Sequence, residues 1–189
     1  MNFEKLKAMK RIKEEYTELS SHYIENIGAT VGLVDEDNLF EWKCTLIAPT
    51  DTSYQGGVFL LRIKFPNNYP TKAPEIVFKT PIYHVNVNPH KTRPDLENQE
   101  GAESLGHICI STLNYWNPNK KIMDALKEIF YLFYVPNPDS PYGLDRADEL
   151  RFNRPVYEEK IKHFTKKYAD PHKLQEEYDK DKDWDFTFP

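Results

Sequence analysis

The sequence predicts a single domain of the α+β class. Apolar residues recur every three or four positions at the start of the chain, which is typical of an amphipathic helix. A middle stretch alternates apolar and polar residues between turn signals, as half-buried strands do. Helical spacing returns in the last third, and 189 residues suffice for one substantial core but not for two domains.

Composition narrows the class of function only broadly. Hydrophobic residues make up 39% and charged residues 29%, as in ordinary soluble proteins, and no apolar run approaches the length of a membrane span. A net charge of −5 disfavours a nucleic-acid binder, and the charged N-terminus does not resemble a signal peptide. Two cysteines permit at most one disulfide, so we expect a reducing compartment, cytosol or nucleus. We expect no metal or cofactor.

The first element is a helix from about Phe3 to Leu19. Its apolar positions line one face, and its basic residues gather elsewhere on the surface. A solvated polar face is the ordinary explanation for such basic residues. The apolar face consists of Phe3, Leu6, Met9, Ile12, Tyr16 and Leu19.

The middle of the chain is predicted to form strands. Trp42 and Cys44 fall on one face of a strand by their spacing of two, and Cys44 is therefore expected to be a small core residue. Residues 32–38 form a turn rich in acids, and Pro70 prevents the third strand from continuing. The four predicted segments are Tyr23 to Val31, Leu39 to Ile47, Val58 to Phe65 and Glu75 to Lys79.

Two helices are predicted after the strands. The first runs from Lys121 to Tyr134 and is stopped by Pro136, and the second runs from Val156 to Tyr168. The remaining residues, 170–189, are charged and mostly acidic but end with three aromatic side chains. They are expected either to be a disordered tail or to pack on the core or on a partner through those aromatics.

Three short strings carry the chemical information. A cysteine lies in GHICISTLNYWNP at residues 106–118, behind a glycine and ahead of a Trp-x-Pro corner. The string YHVN occupies residues 83–86, and PNPDSP occupies residues 136–141. Together they closely resemble the ubiquitin-conjugating enzymes, whose cysteine carries ubiquitin as a thioester. The resemblance extends from about Lys10 to about Ala169.

The resemblance implies a specific α+β fold. It implies a four-stranded antiparallel meander sheet with an N-terminal helix, a central crossing helix and C-terminal helices. Residues 1–169 would form the catalytic core, with an insertion at about residues 89–103, and residues 170–189 would form an extension. The insertion is polar and charged, and we expect it to be a surface loop between two parts of the site.

Cys109 is the nucleophile that the resemblance implies. A cysteine reacts as its thiolate and must be at least partly exposed. The later transfer to a lysine amine creates a tetrahedral oxyanion, which a side-chain amide is suited to stabilise. Asn86 matches the amide of the family's His-Pro-Asn motif, and bracing of the catalytic loop is the other role open to it.

Four further residues are expected around the cysteine by the same resemblance. His84 would stabilise the catalytic loop by hydrogen bonding, and Tyr83 would help to form a groove for the incoming lysine. Ser140 matches the position of a gate loop that would face that lysine, and Asp139 lies next to it. The same string is also expected to form a rigid Pro-rich turn at the end of a helix, and the two roles are compatible.

The resemblance also implies partners. These are ubiquitin or a ubiquitin-like modifier, an activating enzyme, a ligase of the RING or another class, and substrate proteins, but no nucleic acid or membrane. The activating enzyme would contact the basic residues of the first helix, Lys7, Lys10, Arg11 and Lys13. The ligase would contact two loops, at Thr71 and at Trp116, Pro118 and Asn119. Donor ubiquitin would lie on the outer face of the helix at 121–134, at Asp124, Lys127 and Tyr131.

The chain departs from the family pattern at several of these positions. Val85 replaces the middle proline of the motif, and Thr71 and Asn119 replace an aromatic residue and an alanine found in many relatives. Tyr131 stands where many relatives have a small residue. Two other interpretations are therefore kept open: a catalytically inactive variant that binds ubiquitin, and an unrelated α+β domain in which Cys109 is structural.

Overall fold

The computed structural model describes residues 3–21, 23–89 and 106–172. Within them, four strands are followed by helices, after one long helix at the start. A short 3₁₀ helix, Glu25–Ile27, precedes the first strand. The strands are β1 (Ala29–Leu33), β2 (Glu41–Ile47), β3 (Val58–Lys64) and β4 (Glu75–Phe78). The helices are α1 (Phe3–Ser20), α2 (Ser111–Asn114), α3 (Ile122–Leu132), α4 (Leu144–Phe152) and α5 (Arg154–Tyr168).

The sheet is the antiparallel meander expected from the sequence. Its strand order is β1-β2-β3-β4, and each neighbouring pair is antiparallel. One row of paired residues crosses all four strands: Val31, Cys44, Leu61 and Phe78. All four side chains are buried. The predicted α+β fold is therefore confirmed, and Cys44 is a core residue whose burial raises its thiol pKa to about 12.

The start of the sheet differs from the prediction. The segment from Tyr23 to Val31 was expected to be one strand, but its first half contains the 3₁₀ helix. Gly28, with a φ of 55°, reverses the chain, and pairing with β2 starts only at Ala29. A left-handed φ is accessible to glycine without a Cβ clash, which explains the break at this residue. The strand then extends through Leu33, opposite Trp42, past the predicted start of the turn.

Helices α2 and α4 were not predicted. Helix α2 has four residues, too few for a periodic pattern. Helix α4 buries Arg146 with Ala147 and Leu150, so a charged residue occupies one of its three inward positions. An arginine at that place interrupts the apolar stripe from which a helix is recognised in a sequence.

Glu15 connects α1 to the rest of the core. Its carboxylate is almost fully buried and accepts hydrogen bonds from Arg11 Nε at 2.6 Å and the Tyr69 hydroxyl at 2.7 Å. It also accepts the backbone N–H of Ile122, the first residue of α3, at 2.8 Å. A buried carboxylate is tolerated only when its oxygens are paired in this way. One side chain thus fixes α1 against the loop at 66–71 and the start of α3.

Candidate active site

Cys109 lies on a segment that pairs with the YHVN loop. Its backbone N–H donates to Asn86 O at 2.8 Å, and the Asn88 N–H donates to His107 O at 2.9 Å. A bridge between Val87 and Ile108 continues this pairing. The Cys109 side chain is half-buried, unlike that of Cys44, so its sulfur is open to a reaction partner.

The amide of Asn86 is fully occupied in bracing the loop at 136–141. The residue has no exposed surface. Its Oδ1 accepts the Asn137 N–H at 2.8 Å, and its Nδ2 donates to Asn137 O at 2.8 Å and to Ser140 O at 2.9 Å. A primary amide has two N–H donors, and both have partners here. In this arrangement the Asn86 amide braces the loop at 136–141.

His84 is a buried hydrogen-bonding group beneath the same loop. Its Nε2 lies 3.0 Å from Leu132 O, and its Nδ1 accepts the Asn86 N–H at 3.0 Å. These partners require a neutral ring with its proton on Nε2. Burial lowers the pKa of His84 to about 4, against the opposing effect of the Leu132 carbonyl. The ring is therefore uncharged at neutral pH.

Val85 has a backbone N–H that a proline would lack, and this N–H has a hydrogen-bond partner. The Val87 N–H donates to His84 O at 3.2 Å, which makes Val85 the second residue of a turn, a position that proline favours. The buried Val85 N–H donates to the Tyr157 hydroxyl of α5 at 2.9 Å. The Val85 carbonyl accepts the Tyr142 N–H at 2.8 Å. The departure from the motif is thus matched by a partner from another element.

Two arginines of α4 support the two loops, a contribution that the sequence did not reveal. The buried Arg146 donates to His84 O at 3.1 Å and stacks over the Tyr83 ring, 4.5 Å from its centroid. Arg151 donates to Pro138 O at 3.0 Å and to the Asp139 carboxylate at 2.5 Å. The Asp139 side chain is therefore paired with Arg151, while Ser140, which was expected to face an incoming lysine, is exposed on the same loop.

Tyr83, which was expected to help to form a groove for the incoming lysine, contacts the C-terminal helices. Its hydroxyl donates to Glu149 Oε2 at 2.6 Å, and its ring packs against Tyr157 and Phe164. These side-chain contacts lie on α4 and α5. Tyr142 is the tyrosine near the nucleophile: partial burial and the negative charge of an ionised Cys109 raise its pKa. Tyr142 is 38% exposed and was not among the predicted site residues.

The residues that follow Cys109 form a fixed corner. The Glu128 carboxylate of α3 accepts the N–H groups of Ser111 at 2.9 Å and Thr112 at 2.8 Å, at the start of α2. Burial alone would raise the pKa of Glu128, but hydrogen bonds from the side chains and the backbone of Thr112 and Ser111 outweigh it and lower the pKa. At the end of α2, Asn114 Nδ2 lies 3.5 Å from Cys109 Sγ. Neither Glu128 nor Asn114 was predicted, because neither matches a motif.

Three of the four residues predicted to contact the activating enzyme are exposed. On α1, Lys7, Lys10 and Lys13 are exposed, but Arg11 is tied to Glu15 and to Lys120 O at 3.1 Å. Arg11 therefore has a structural function that the sequence did not indicate.

The predicted ligase residues are brought to one end of the molecule. Trp116 Nε1 donates to Pro70 O at 2.7 Å, which joins the loop at 66–71 to the loop at 116–119. Thr71, Pro118 and Asn119 are exposed beside that junction.

The predicted donor-ubiquitin residues share the outer face of α3. Asp124, Lys127 and Tyr131 are all exposed, and Tyr131 is 59% exposed. The Asp124 carboxylate also accepts the Lys121 N–H at 2.8 Å and so caps the start of the helix.

In the part of the chain that the structure describes, no group of three or more His, Cys, Asp or Glu side chains could hold a metal ion. Nor does any helix there have the length and apolar character needed to cross a membrane. Most of the predicted insertion and of the C-terminal extension lies outside the described residues.

Comparisons with known proteins agree on one family. The family model described as "Ubiquitin-conjugating enzyme" matches residues 11–93 and 102–165, with the interruption inside the predicted insertion. The chain is 35% identical over 162 residues to "Ubiquitin-conjugating enzyme E2 14" of Schizosaccharomyces pombe, covering 85% of this chain and 93% of that protein.

Solved structures show the same fold. The crystal structure of a protein described as a ubiquitin conjugating enzyme from Plasmodium yoelii matches with a TM-score of 0.70 and 28% identity, covering 86% of this chain and 96% of that one. The E2 domain of a ubiquitin conjugating enzyme from Toxoplasma gondii matches with a TM-score of 0.67 and 25% identity, covering 85% and 97%. With its fold and its sequence match in agreement, the chain belongs to the ubiquitin-conjugating enzyme family.

Proposed function

We propose that Cys109 accepts ubiquitin as a thioester from the activating enzyme and passes it to a substrate lysine or to a ligase. The observation that carries this proposal is the contrast between the two thiols. Cys109 is half-buried at the end of a braced loop, whereas Cys44 is inside the sheet with its pKa raised to about 12. Only the first can present a thiolate to a bulky acyl donor.

Neither charging of Cys109 nor discharge to lysine needs a cofactor on this protein, because each bond that breaks is replaced by a new bond. In charging, the Cys109 thiolate attacks the thioester carbonyl held by the activating enzyme, a new C–S bond forms, and the enzyme's own thiolate leaves. In discharge, a neutral lysine amine attacks the Cys109 thioester, a C–N bond forms, and the Cys109 thiolate leaves while the amine proton passes to an acceptor. Lysine has a reference pKa of about 10.4, so the site must favour its neutral form.

The surfaces already described fit the partners of such a reaction. The exposed lysines of α1 suit an acidic surface on the activating enzyme, and charge complementarity of this kind acts mainly on association. The joined loops around Trp116 suit a ligase. The outer face of α3 suits donor ubiquitin. A cytosolic or nuclear location would suit this chemistry, because thiols stay reduced there. The activating enzyme would need a supply of ATP in the same compartment.

Two alternatives belong to the same fold. A ubiquitin-like modifier could take the place of ubiquitin, since Tyr131 alters the surface expected to hold the donor. An inactive ubiquitin-binding variant would not need an accessible thiol, and the accessibility of Cys109 favours an active enzyme.

The test is a charging reaction with activating enzyme, ATP and either ubiquitin or one of its relatives. Wild-type protein should form an adduct that a reducing agent removes, and Cys109→Ser should form an oxyester that survives it. Cys44→Ala is the matched control and should charge normally, because alanine leaves no buried polar group. An adduct on Cys109→Ser that the reducing agent removes, or no adduct on wild type with any modifier, would contradict the proposal.

A further inference from the structure

Among the residues that the structure describes, the side-chain amide of Asn114 contacts the sulfur of Cys109. Asn114 Nδ2 lies 3.5 Å from Cys109 Sγ, within the range of a hydrogen bond to sulfur. Asn114 is exposed, so its amide can follow the sulfur through a reaction without losing other partners. The Asn86 amide, in contrast, has three partners on the loop at 136–141 and no exposed surface.

Releasing the Asn86 amide for chemistry would be costly. A donor turned toward the thioester would leave Asn137 O or Ser140 O without its present partner, and unpaired polar groups in protein interiors are destabilising. The gate loop would lose its brace at the moment when it is needed. The two amides therefore have different functions: Asn86 holds the loop, and Asn114 faces the reacting atom.

The backbone around Asn114 is held in place from both sides. Glu128 fixes the start of α2, and the Asn114 N–H donates to Ile110 O at 3.0 Å. Two residues later, Trp116 is anchored to Pro70 O at 2.7 Å. Because the backbone is already fixed, only the side-chain rotamer of Asn114 has to be ordered for its amide to contact the sulfur.

We propose that Asn114 is a catalytic residue, whose amide N–H stabilises negative charge on Cys109 Sγ. The charge is present when the thiolate attacks during charging and returns when it leaves during discharge. In discharge the amine forms its C–N bond, the tetrahedral intermediate collapses, and the electron pair of the broken C–S bond returns to sulfur beside the Asn114 N–H. The role of Asn114 in discharge rests on the proposed thioester function of Cys109. Its contact with the sulfur can be tested independently of that function.

The first test measures discharge. Charged enzyme is mixed with free lysine after charging has been quenched, and single-turnover rates are measured across lysine concentrations. Asn114→Ala should discharge about tenfold more slowly at saturating lysine, with the half-saturating lysine concentration unchanged, because a donor to a developing charge has been lost. Asn114→Asp, which has the same shape but places a carboxylate beside the sulfur, should be slower still.

Two comparison variants show whether the effect is local. Tyr115→Ala alters the next residue, whose side chain is 76% exposed, and should discharge at the wild-type rate. Asn86→Ala should lower the melting temperature by removing the brace of the gate loop, whereas Asn114→Ala should leave it unchanged. A wild-type discharge rate in Asn114→Ala would overturn the proposal, as would an equal loss in Tyr115→Ala.

The second test needs no ubiquitin. In a Cys44→Ala background, the rate of Cys109 alkylation by iodoacetamide at pH 7 reports thiolate formation and reactivity together. If Asn114→Ala makes the thiolate about tenfold less populated, the compensating rise in nucleophilicity leaves alkylation about threefold slower. Unchanged alkylation would overturn the contact. Slower alkylation in a protein that never charges would support the contact and reject the thioester function.

Discussion

At the residue scale, the loop at 84–87 is held by contacts that reach far along the chain. His84 and Val85 are adjacent, yet one bonds to α3 through Leu132 O and the other to α5 through Tyr157. The His84 ring, the Val85 N–H and the Asn86 amide are buried and hydrogen-bonded, as expected in a well-formed interior. A substitution that removes one of these groups therefore leaves its hydrogen-bond partner unpaired, and this predicts its effect on stability.

Tyr157→Phe should destabilise the protein, and Val85→Pro should recover part of the loss in the double variant. The phenylalanine leaves the buried Val85 N–H unpaired, at a cost of about 1–3 kcal/mol in the free energy of unfolding. A proline at position 85 has no N–H and suits the second position of the turn. Denaturant unfolding of both single variants and the double variant gives the coupling energy. Additive losses would show that the hydrogen bond contributes nothing.

The stability of the protein should fall as the pH drops from about 6.5 to about 4, in part because of His84. Its pKa is lowered by burial to about 4 in the folded state, so the unfolded chain binds more protons within this window. The difference from the ordinary value of 6.5 corresponds to on the order of 3 kcal/mol at the acidic end.

This linkage can be measured against a variant that does not titrate. The free energy of unfolding is obtained in denaturant at several pH values for wild type and for His84→Gln. The variant should be less stable at neutral pH, since it loses hydrogen bonds, but its slope between pH 6.5 and 4 should be shallower. Equal slopes would mean that His84 titrates in the folded state as it does in the unfolded chain.

At the element scale, each helix combines packing with a particular connection. Helix α1 is fixed by Glu15, helix α2 by Glu128, and helix α4 connects to both loops of the site through Arg146 and Arg151. On α1 this separates residues that looked equivalent in the sequence. Arg11 belongs to the buried connection, while its lysine neighbours are exposed.

Reversing the charge of Lys10 and Lys13 together should slow charging by the activating enzyme without affecting the fold. Exposed charges act on association and are screened over about 8 Å at physiological ionic strength, so the defect should fade as salt is added. Lys162→Glu with Lys166→Glu on α5 makes the same change of charge on another surface and should charge normally. Equal charging rates for the two double variants at low salt would contradict a specific surface on α1.

Arg11→Glu provides the opposite case within the same helix. It would place a second carboxylate beside the buried Glu15, and it should lower the free energy of unfolding by on the order of 2–3 kcal/mol. A stability equal to that of wild type would show that Arg11 is only a surface charge.

At the scale of the whole molecule, the meander and its helices place residues from distant parts of the chain around one sulfur. Cys109, the loop at 84–87 and the loop at 136–141 meet because the strand-like pairing at Val87 and Ile108 brings the first two together. The third is added through Asn86. The segment between the first two is closed at its base, where the Gly106 N–H donates to Asn88 O at 3.0 Å.

Replacing residues 89–103 with a short Gly-containing turn should leave both the fold and charging intact. The ends of this segment are already paired in the described structure, and closing a shorter loop should stabilise the protein by about 1 kcal/mol. We expect discharge or the response to a ligase to change, because the segment lies between Asn86 and Cys109. Thermal unfolding and single-turnover discharge measure the two effects, and loss of folding would contradict the surface-loop interpretation.

The sequence by itself determined the family, the α+β class and the order of the strands, and it pointed to Cys109 as the candidate nucleophile. These properties are encoded in neighbouring residues: strand alternation around Trp42 and Cys44, helical spacing in α1, and short strings around Cys109. The family model is interrupted between residues 93 and 102, which lies inside the insertion predicted at about residues 89–103.

The tertiary structure alone decided how the side chains of the site are used. Asn86 bonds to a loop 51 residues away, Val85 to a hydroxyl 72 residues away, and Arg146 to a carbonyl 62 residues away. No local periodicity encodes such pairs, because they depend on which elements the fold brings together. Even Asn114, five residues from Cys109, could be assigned to the sulfur only once the short helix between them fixed its direction.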